Sequence, residues 1–285
     1  MTTASEWQGR VGETWAAEWR RTDRAFAAIG TALVDRAIGA IAKVLPRDAS
    51  TGNVVQILDV GCGAGSTSLS IAEARDDVRV LGIDLSPDLI DIARERASDQ
   101  SRCRFAVSDA ATWSDPAWTP DLIVSRHGVM FFDRPVEAFA HLHAQVHPGT
   151  PLVFSCFRSR AENSWASAFA DLLPEAPVPI DCAPGPFGFA NLNRTTDVLK
   201  AAGWRDVVAD ALTLPFVTGG GSDPENEAMA FHRRIGSTAS ALAAIENESE
   251  RDAFLDRMRA VIADHRVDGE VRFTAGVWIV RAVAG

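Results

Sequence analysis

Three carboxylates, Asp59, Asp84 and Asp109, each stand at or just past the end of a short apolar run. The first lies in Ile57-Leu58-Asp59-Val60-Gly61-Cys62-Gly63-Ala64-Gly65-Ser66-Thr67, where three glycines at alternate positions separate the run from a helix start. Glycine there lets the backbone take positive φ and lets a ligand approach main-chain atoms that a Cβ would block. A dinucleotide fingerprint, GxGxxG, needs its third glycine where this chain has Ser66. The spacing therefore disfavours a pyrophosphate on the helix N-terminus, and with it a nicotinamide cofactor. Asp84, followed by Leu85, closes the second run, where an acidic group accepts hydrogen bonds from both hydroxyls of a ribose. Ser108-Asp109-Ala110 follows the third run and offers an acceptor to the exocyclic amine of an adenine. After the fourth run come a hydroxyl, a cation and an imidazole: Ser125, Arg126 and His127.

These groups meet only if the runs lie side by side and point the same way. Apolar runs at residues 54–60, 78–85, 103–107, 122–125 and 151–157 alternate with helical patterns at 66–74, 87–97 and 136–146. Near-continuous apolar strands alternating with helices describe an α/β protein with a parallel sheet covered on both faces. In such sheets ligands bind at the carboxyl edge, where the three aspartates stand. Before the sheet, the apolar spacing from Trp15 to Val44 predicts two helices with a break near Gly30. After it come a Pro/Gly/Ala-rich excursion with at most a short helix at 163–173, a helix at 195–202 and a strand at 207–216. Then follow a GGGSDPENE linker, helical segments at 225–245 and 251–265, and a last strand at 271–283. The expected organisation is N-terminal helices (1–50), a core (51–160), a lid insertion (161–194), a core helix and strand (195–216), a helical cap insertion (217–268) and a final strand (269–285).

The chain has 285 residues, 28 Lys and Arg against 38 Asp and Glu, and a net charge of −10. That field repels phosphate backbones and anionic lipid, so nucleic acid is not an expected partner. The four cysteines are dispersed with no CxxC, which points to reduced thiols in a cytoplasm rather than a disulfide scaffold or zinc ribbon. No basic segment leads into an apolar one after Met1, and no run of about 18 apolar residues occurs, so neither export nor a membrane span is expected. Tyrosine is absent, so proton transfer falls to His, Asp, Glu, Lys, Cys or water. His141, His143 and His147 do not share a helix face, which argues against a metal site. His232 sits in Phe231-His232-Arg233-Arg234 on an expected cap helix, where it either reaches the acceptor or, the commoner fate, lies on an exposed polar face. Trp7, Trp15, Trp19, Trp165, Phe187 and Phe189 lie outside the sheet, and a mixture of cap core and pocket wall is expected of them.

LDVGCGAG, GIDLSPDLIDIARERA, FAVSDA and DLIVSRHGVMFFDRPVEAFAHLHAQVHPGTPLVFSCF together resemble the class I S-adenosylmethionine-dependent methyltransferases over residues 53–160. The last segment is most similar to a small-molecule branch that includes quinone-biosynthesis enzymes. The resemblance implies a Rossmann-like, seven-stranded, mostly parallel sheet with helices on both faces, a mostly helical cap, and a last strand inserted antiparallel. It implies S-adenosylmethionine as cofactor, S-adenosylhomocysteine as product and a small, apolar or aromatic acceptor methylated on oxygen, or else on carbon or nitrogen. For the cofactor it implies Asp59, Gly61, Gly63 and Gly65 at the methionine part and ribose, Asp84 with Leu85 at the ribose, Asp109 and Ala110 at the adenine, and Ser125 and Arg126 beside the methionine carboxylate. His127 would lie beside the reactive methyl, where relatives often carry an apolar or aromatic residue, so this imidazole either serves the acceptor as a general base or merely packs. The competing readings are an NAD(P)-dependent oxidoreductase, a nucleic-acid methyltransferase and a non-catalytic protein that binds S-adenosylmethionine.

Overall fold

Five apolar segments of five to seven residues pair in parallel: β1 (Val55–Val60), β2 (Val78–Asp84), β3 (Cys103–Val107), β4 (Leu122–Arg126) and β5 (Pro151–Phe157). Every residue of β5 is buried, as a strand covered on both faces requires. The computed structural model describes residues 4–44, 54–173 and 182–285. Of the expected N-terminal, core and lid segments, residues 1–3, 45–53 and 174–181 lie outside the described residues.

The sheet order is β3-β2-β1-β4-β5-β8-β6. Here β6 (Trp204–Gly219) and β8 (Glu270–Ala284) are long, and β8 inserts antiparallel to both of its neighbours. This is the seven-strand path that was expected, with an eighth, two-residue strand, β7 (Arg266–Val267), paired onto β8. The sheet helices are α4 (Ser66–Ala74), α5 (Pro87–Arg96), α6 (Pro135–Ala144) and α8 (Leu192–Ala201). The start of α5 follows from local chemistry: Ser86 accepts a hydrogen bond from Leu89 N–H, and Pro87 supplies a preset φ at the first turn.

The N-terminus differs from expectation. It forms α1 (Ala4–Trp7), α2 (Arg10–Ala17) and one uninterrupted α3 (Trp19–Val44), so the break lies at Glu18 and not at Gly30. One interior glycine costs a helix about 1 kcal/mol, and the stripe Ala25, Ile29, Leu33, Ala37 and Ile41 is almost fully buried against the sheet. Burial of that stripe outweighs the glycine. By length and composition Trp19–Ala42 is apolar enough to cross a membrane. Its apolar side is spent on β4, β5, β6 and β8.

The segment after β5 holds α7 (Ser164–Ser167) and two short 3-10 turns. After β6 come α9 (Pro224–Arg234), α10 (Ser237–Ala243) and α11 (Glu248–Asp264). The GGGSDPENE segment is mostly element rather than linker, because β6 runs to Gly219 and Asp223 caps α9.

Gly82 in β2 has no room for a side chain, since a Cβ would lie 2.6 Å from Phe105 Cδ1 and 2.9 Å from Cys62 Sγ. Gly82→Ala is expected to overpack this strand and lower stability by about 1–3 kcal/mol, read as a lower urea midpoint at unchanged slope.

Candidate active site

A cavity of about 440 Å³ lies along the carboxyl edge of the sheet. One end is walled by the strand-tip loops after β1, β2 and β3, the other by aromatic rings beneath α9. Of the strand-tip residues that the resemblance assigned to cofactor or acceptor, eight line it: Gly61, Gly63, Asp84, Leu85, Asp109, Ala110, Arg126 and His127.

At the strand-tip end, Asp84 ties two loops together. Its Oδ2 accepts Gly63 N–H at 2.9 Å and its Oδ1 accepts Ser86 N–H at 2.9 Å. A carboxylate has about four acceptor sites, so two N–H groups orient it and leave capacity toward the cavity. Burial raises the Asp84 carboxyl above its ordinary range, against the lowering effect of the hydrogen bonds from Ser86, Gly63 and Leu85. Gly63 takes φ +54, and a Cβ there would meet nothing within 4 Å, so its backbone fronts open space. Gly61 instead lets the loop close on Gly128, whose Cα would be 2.8 Å from an added Cβ. Asp109 is exposed at the rim, and its Oδ1 accepts Ala111 N–H at 2.8 Å.

Three expected contact residues stand behind this wall. Asp59 is fully buried, and its Oδ2 accepts the Ser68 hydroxyl of α4 at 2.6 Å. The carboxylate therefore faces the helix packed on the sheet and not the crevice. Gly65 is buried at the N-cap of α4, where a Cβ would strike Phe105 Cζ at 2.8 Å. Ser125 is buried too. Its hydroxyl donates to Val60 O at 2.7 Å and accepts from Gly128 and Val129 N–H, which fastens the tip of β4 to the tip of β1. All three shape the wall instead of touching the cavity.

His127 holds a left-handed backbone (φ +62), a conformation that costs a non-glycine residue about 1–3 kcal/mol. The turn directs its imidazole into the wall between the two ends, 4.2 Å from the Phe157 ring centroid and 5.3 Å from that of Phe26. Nδ1 lies 2.8 Å from Ser155 Oγ, while the buried Nε2 has no protein partner. Burial, helped by the Arg126 charge, pushes this imidazole down to about 3, so it is neutral at pH 7. From there the rings of Phe26, Phe216 and Phe231 lead in edge contacts of 5.2 and 6.0 Å to His232. Trp165 lies along the same chamber, 4.8 Å from Phe157 and 5.5 Å from Phe216.

His232 was expected on an exposed face and is buried at the cavity wall instead. The missed signal was its spacing: Ala228 and His232, four apart, share a buried face of α9 with Phe231, and α9 packs on the sheet's long strands. Its Nε2 is also buried without a partner, and burial pushes it down to about 3. Phe26, Phe157 and Phe216 were likewise missed as wall residues because each reads as an ordinary helix or strand core position. Of the six aromatics outside the sheet, Trp7, Trp15 and Trp165 line the cavity. Trp19 stacks under Arg96, Phe187 packs on Trp165, and Phe189 is core beside Phe139 and Phe154.

The N-terminal helices roof the strand-tip end. Trp7 Nε1 is a third buried, unpartnered polar atom on a wall residue. Arg126 pairs with Asp23 of α3 at 3.5 Å, and Asp23 also holds Arg96 of α5 at 2.7 Å. Glu18 and Glu227 bridge α3 to α9 through Arg234, Arg21 and Arg24 at 3.0–3.1 Å. Gly12 of α2 presses on the start of α5, where a Cβ would collide with Ser86 Oγ and with Trp7 O. Among the described residues no group of three or more His, Cys, Asp or Glu could hold a metal. His141 bonds Trp113 O, and His143 accepts Gly285 N–H.

Residues 57–149 match the family model described as "Methyltransferase domain". Phosphoethanolamine N-methyltransferase 1 of Arabidopsis thaliana is 29% identical over 163 residues, 57% of this chain and 31% of that protein. Trans-aconitate 2-methyltransferase of Methylobacterium radiotolerans is 31% identical over 126 residues, 40% of this chain and 47% of that protein. The chain thus spans less than half the length of these curated relatives. Among solved structures, magnesium protoporphyrin IX methyltransferase of Synechocystis PCC 6803, with bound S-adenosylhomocysteine, superposes with a TM-score of 0.55 at 13% identity, covering 99% of this chain and 98% of that one. The fold is that of the Rossmann-like methyltransferases.

The two buried imidazoles set an acid sensitivity. Unfolded, each protonates near pH 6.5; folded, each is held to about 3. Between those values the unfolded chain binds more protons, so stability falls as pH drops through 6.5. Asp59 acts in the opposite sense, because burial raises it to about 6 and favours the protonated native form as pH falls. In a His127→Gln/His232→Gln variant, the urea midpoint is expected to fall less steeply between pH 7 and pH 5 than in the parent protein.

Proposed function

With residues 57–149 a methyltransferase domain, we propose that the protein transfers a methyl group from S-adenosylmethionine to a small apolar or aromatic acceptor. The observation that carries the reading is the Asp84 carboxylate, held by Gly63 and Ser86 N–H groups at one end of an otherwise aromatic cavity. S-adenosylmethionine supplies an electrophilic methyl on a sulfonium sulfur. Asp84 binds the ribose hydroxyls, Leu85 and Ala110 flank the adenine, and Asp109 accepts at its amine edge. The backbone of Gly61 and Gly63 borders the methionine part, and Arg126, already leaning on Asp23, faces its carboxylate. Asp59, Gly65 and Ser125 act one layer back, by fixing the loops that make these contacts. Trp7, Trp15 and Phe26 exclude water over the same space.

His127 stands where an acceptor would meet the methyl. A base works best when its pKa lies near the working pH, so an imidazole held to about 3 serves to orient the acceptor rather than to remove its proton. Displacement at a sulfonium mostly demands alignment of the reacting atoms, which a fixed hydrogen bond and flat aromatic walls supply. An acceptor oxygen suits that hydrogen bond best. The reaction belongs in a reducing cytoplasm, a reading supported by the dispersed cysteines, of which Cys62, Cys103 and Cys156 are buried thiols. The acidic charge of −10 argues against a nucleic-acid acceptor.

Titration calorimetry with S-adenosylhomocysteine and with NADH tests the cofactor. Submicromolar binding of the first and none of the second supports the reading, and the reverse overturns it. Transfer of label from S-adenosylmethionine to an aromatic acceptor then separates an enzyme from a protein that only binds the cofactor. Asp84→Ala removes charged hydrogen bonds worth about 1.5–3 kcal/mol each and is expected to weaken S-adenosylhomocysteine at least tenfold. His127→Ala is expected to leave that affinity within a factor of about three. Gly12→Ala should lift α2 off Ser86 and weaken S-adenosylhomocysteine by about tenfold while the far-ultraviolet circular dichroism stays unchanged.

A further inference from the structure

The aromatic end of the cavity has an unusual polar inventory. Its walls are Phe26, Phe157, Trp165, Phe216 and Phe231, and the polar groups at its far end are His232, the exposed Ser237 and Thr238, whose hydroxyl is already spent on His232 O at 2.7 Å. The ring is 2% exposed and wedged among Phe169, Phe231 and Phe273 at 4.6–5.3 Å. Among the described residues nothing bonds its Nε2. Leaving a buried polar nitrogen without a partner costs about 1–3 kcal/mol, and the cost is recovered if a ligand supplies the missing hydrogen bond. The ring lines the cavity and is held by Phe169, in the segment after β5, and by Phe273 of β8, which close Nε2 off, so a ligand reaches that nitrogen through a small turn of the ring toward the cavity.

Charge narrows the ligand. The guanidiniums on the cavity wall are Arg126 and Arg134, and each faces a carboxylate: Arg126 pairs with Asp23, and Arg134 with Glu137 at the surface. Against these two stand five wall carboxylates, Asp23, Asp84, Asp109, Asp133 and Glu137. With Arg126 taken by Asp23 and the methionine carboxylate, and Arg134 by Glu137, a phosphomonoester or polycarboxylate acceptor finds no cation left for it. A cationic amine at this end would give up its hydration for a wall of rings, and burying an ion without a partner is costly. A flat neutral molecule loses least on entering.

We propose that the acceptor subsite selects an uncharged aromatic molecule with one hydrogen-bonding substituent, which His232 Nε2 holds at the end of the chamber away from Asp84. His127 then meets the opposite edge of the same molecule, beside the cofactor. The two imidazoles set its length and orientation, and the rings between them set its flatness. His232 is a specificity residue that never touches the cofactor. The proposal rests on the methyl-transfer reading, because that reading assigns the Asp84 end to the cofactor and leaves this end for the acceptor.

Equilibrium dialysis at pH 7 on protein saturated with S-adenosylhomocysteine tests it with four probes of one shape: naphthol, naphthalene, naphthoate and naphthylmethylammonium. Naphthol is expected to bind at least tenfold tighter than each of the others, about the factor one satisfied buried hydrogen bond gives. His232→Phe keeps the packing and should abolish the advantage over naphthalene, whereas His232→Gln should restore part of it. Affinity for S-adenosylhomocysteine should stay constant in both variants, which shows that the fold and the cofactor end are intact. Equal or tighter binding of either ion, no binding of naphthol, or a naphthol preference that survives in His232→Phe overturns the proposal alone. If the parent protein does not bind S-adenosylhomocysteine, the methyl-transfer reading fails first and takes the proposal with it.

Discussion

The Asp84 carboxylate accepts Gly63 N–H on one oxygen and Ser86 N–H on the other, and this pair of hydrogen bonds couples two loops that the sequence leaves 20 residues apart. The loop after β1 cannot close on Gly128 unless Gly61 and Gly63 hold positive φ. The loop after β2 cannot start α5 unless Ser86 is free to cap it, and it is, because its own N–H is already taken by Asp84. The interaction also fixes which way the remaining acceptor capacity points. Around it the second layer is rigid: Ser125 clamps β4 to β1, Asp59 clamps α4 to the sheet, and Phe105 fills the space that Gly65 and Gly82 leave.

The rest of the cavity is built from elements distant in the chain. Its roof is the N-terminal helix pair and its far wall is α9, and ion pairs join the two through Glu18 and Glu227. Partly buried pairs of this kind contribute modest energy. Their effect is geometric, since they set the distance between α3 and α9 and so the width of the aromatic chamber. Within that chamber the two histidines are neutral because they are buried. Such imidazoles recognise hydrogen-bonding partners and do not attract anions, which is why their burial bears on the acceptor as much as the ring walls do.

Much of this was legible from the residues alone. Strand positions 103–107 and 151–157 were read to the residue, the second because a strand buried on both faces is a continuous apolar run, the first because an edge strand alternates buried Cys103 and Phe105 with exposed Arg104 and Val107. The alternate-glycine loop and the aspartates after three strands followed from local chemistry. The unbroken α3 did not, because the expected break at Gly30 weighed local propensity and could not see the sheet face that buries Ile29 and Leu33. Nor did the roles of Asp59 and Ser125, since a strand-end polar residue points to one side or the other of the sheet edge according to its neighbours' packing.

The amino-acid order by itself determined the elements, the parallel core with an inserted antiparallel last strand, and the strand-tip groups at the carboxyl edge, because each depends on periodicity and turn chemistry within a few residues. Only the tertiary structure decided which polar atoms are left without partners. Trp7, His127 and His232 come from three separate segments, and each looks like an ordinary polar or packing residue in its own stretch of chain. Their unsatisfied nitrogens arise because residues remote in the chain bury them around one cavity, and burial is a property of the assembled surfaces and not of the local sequence.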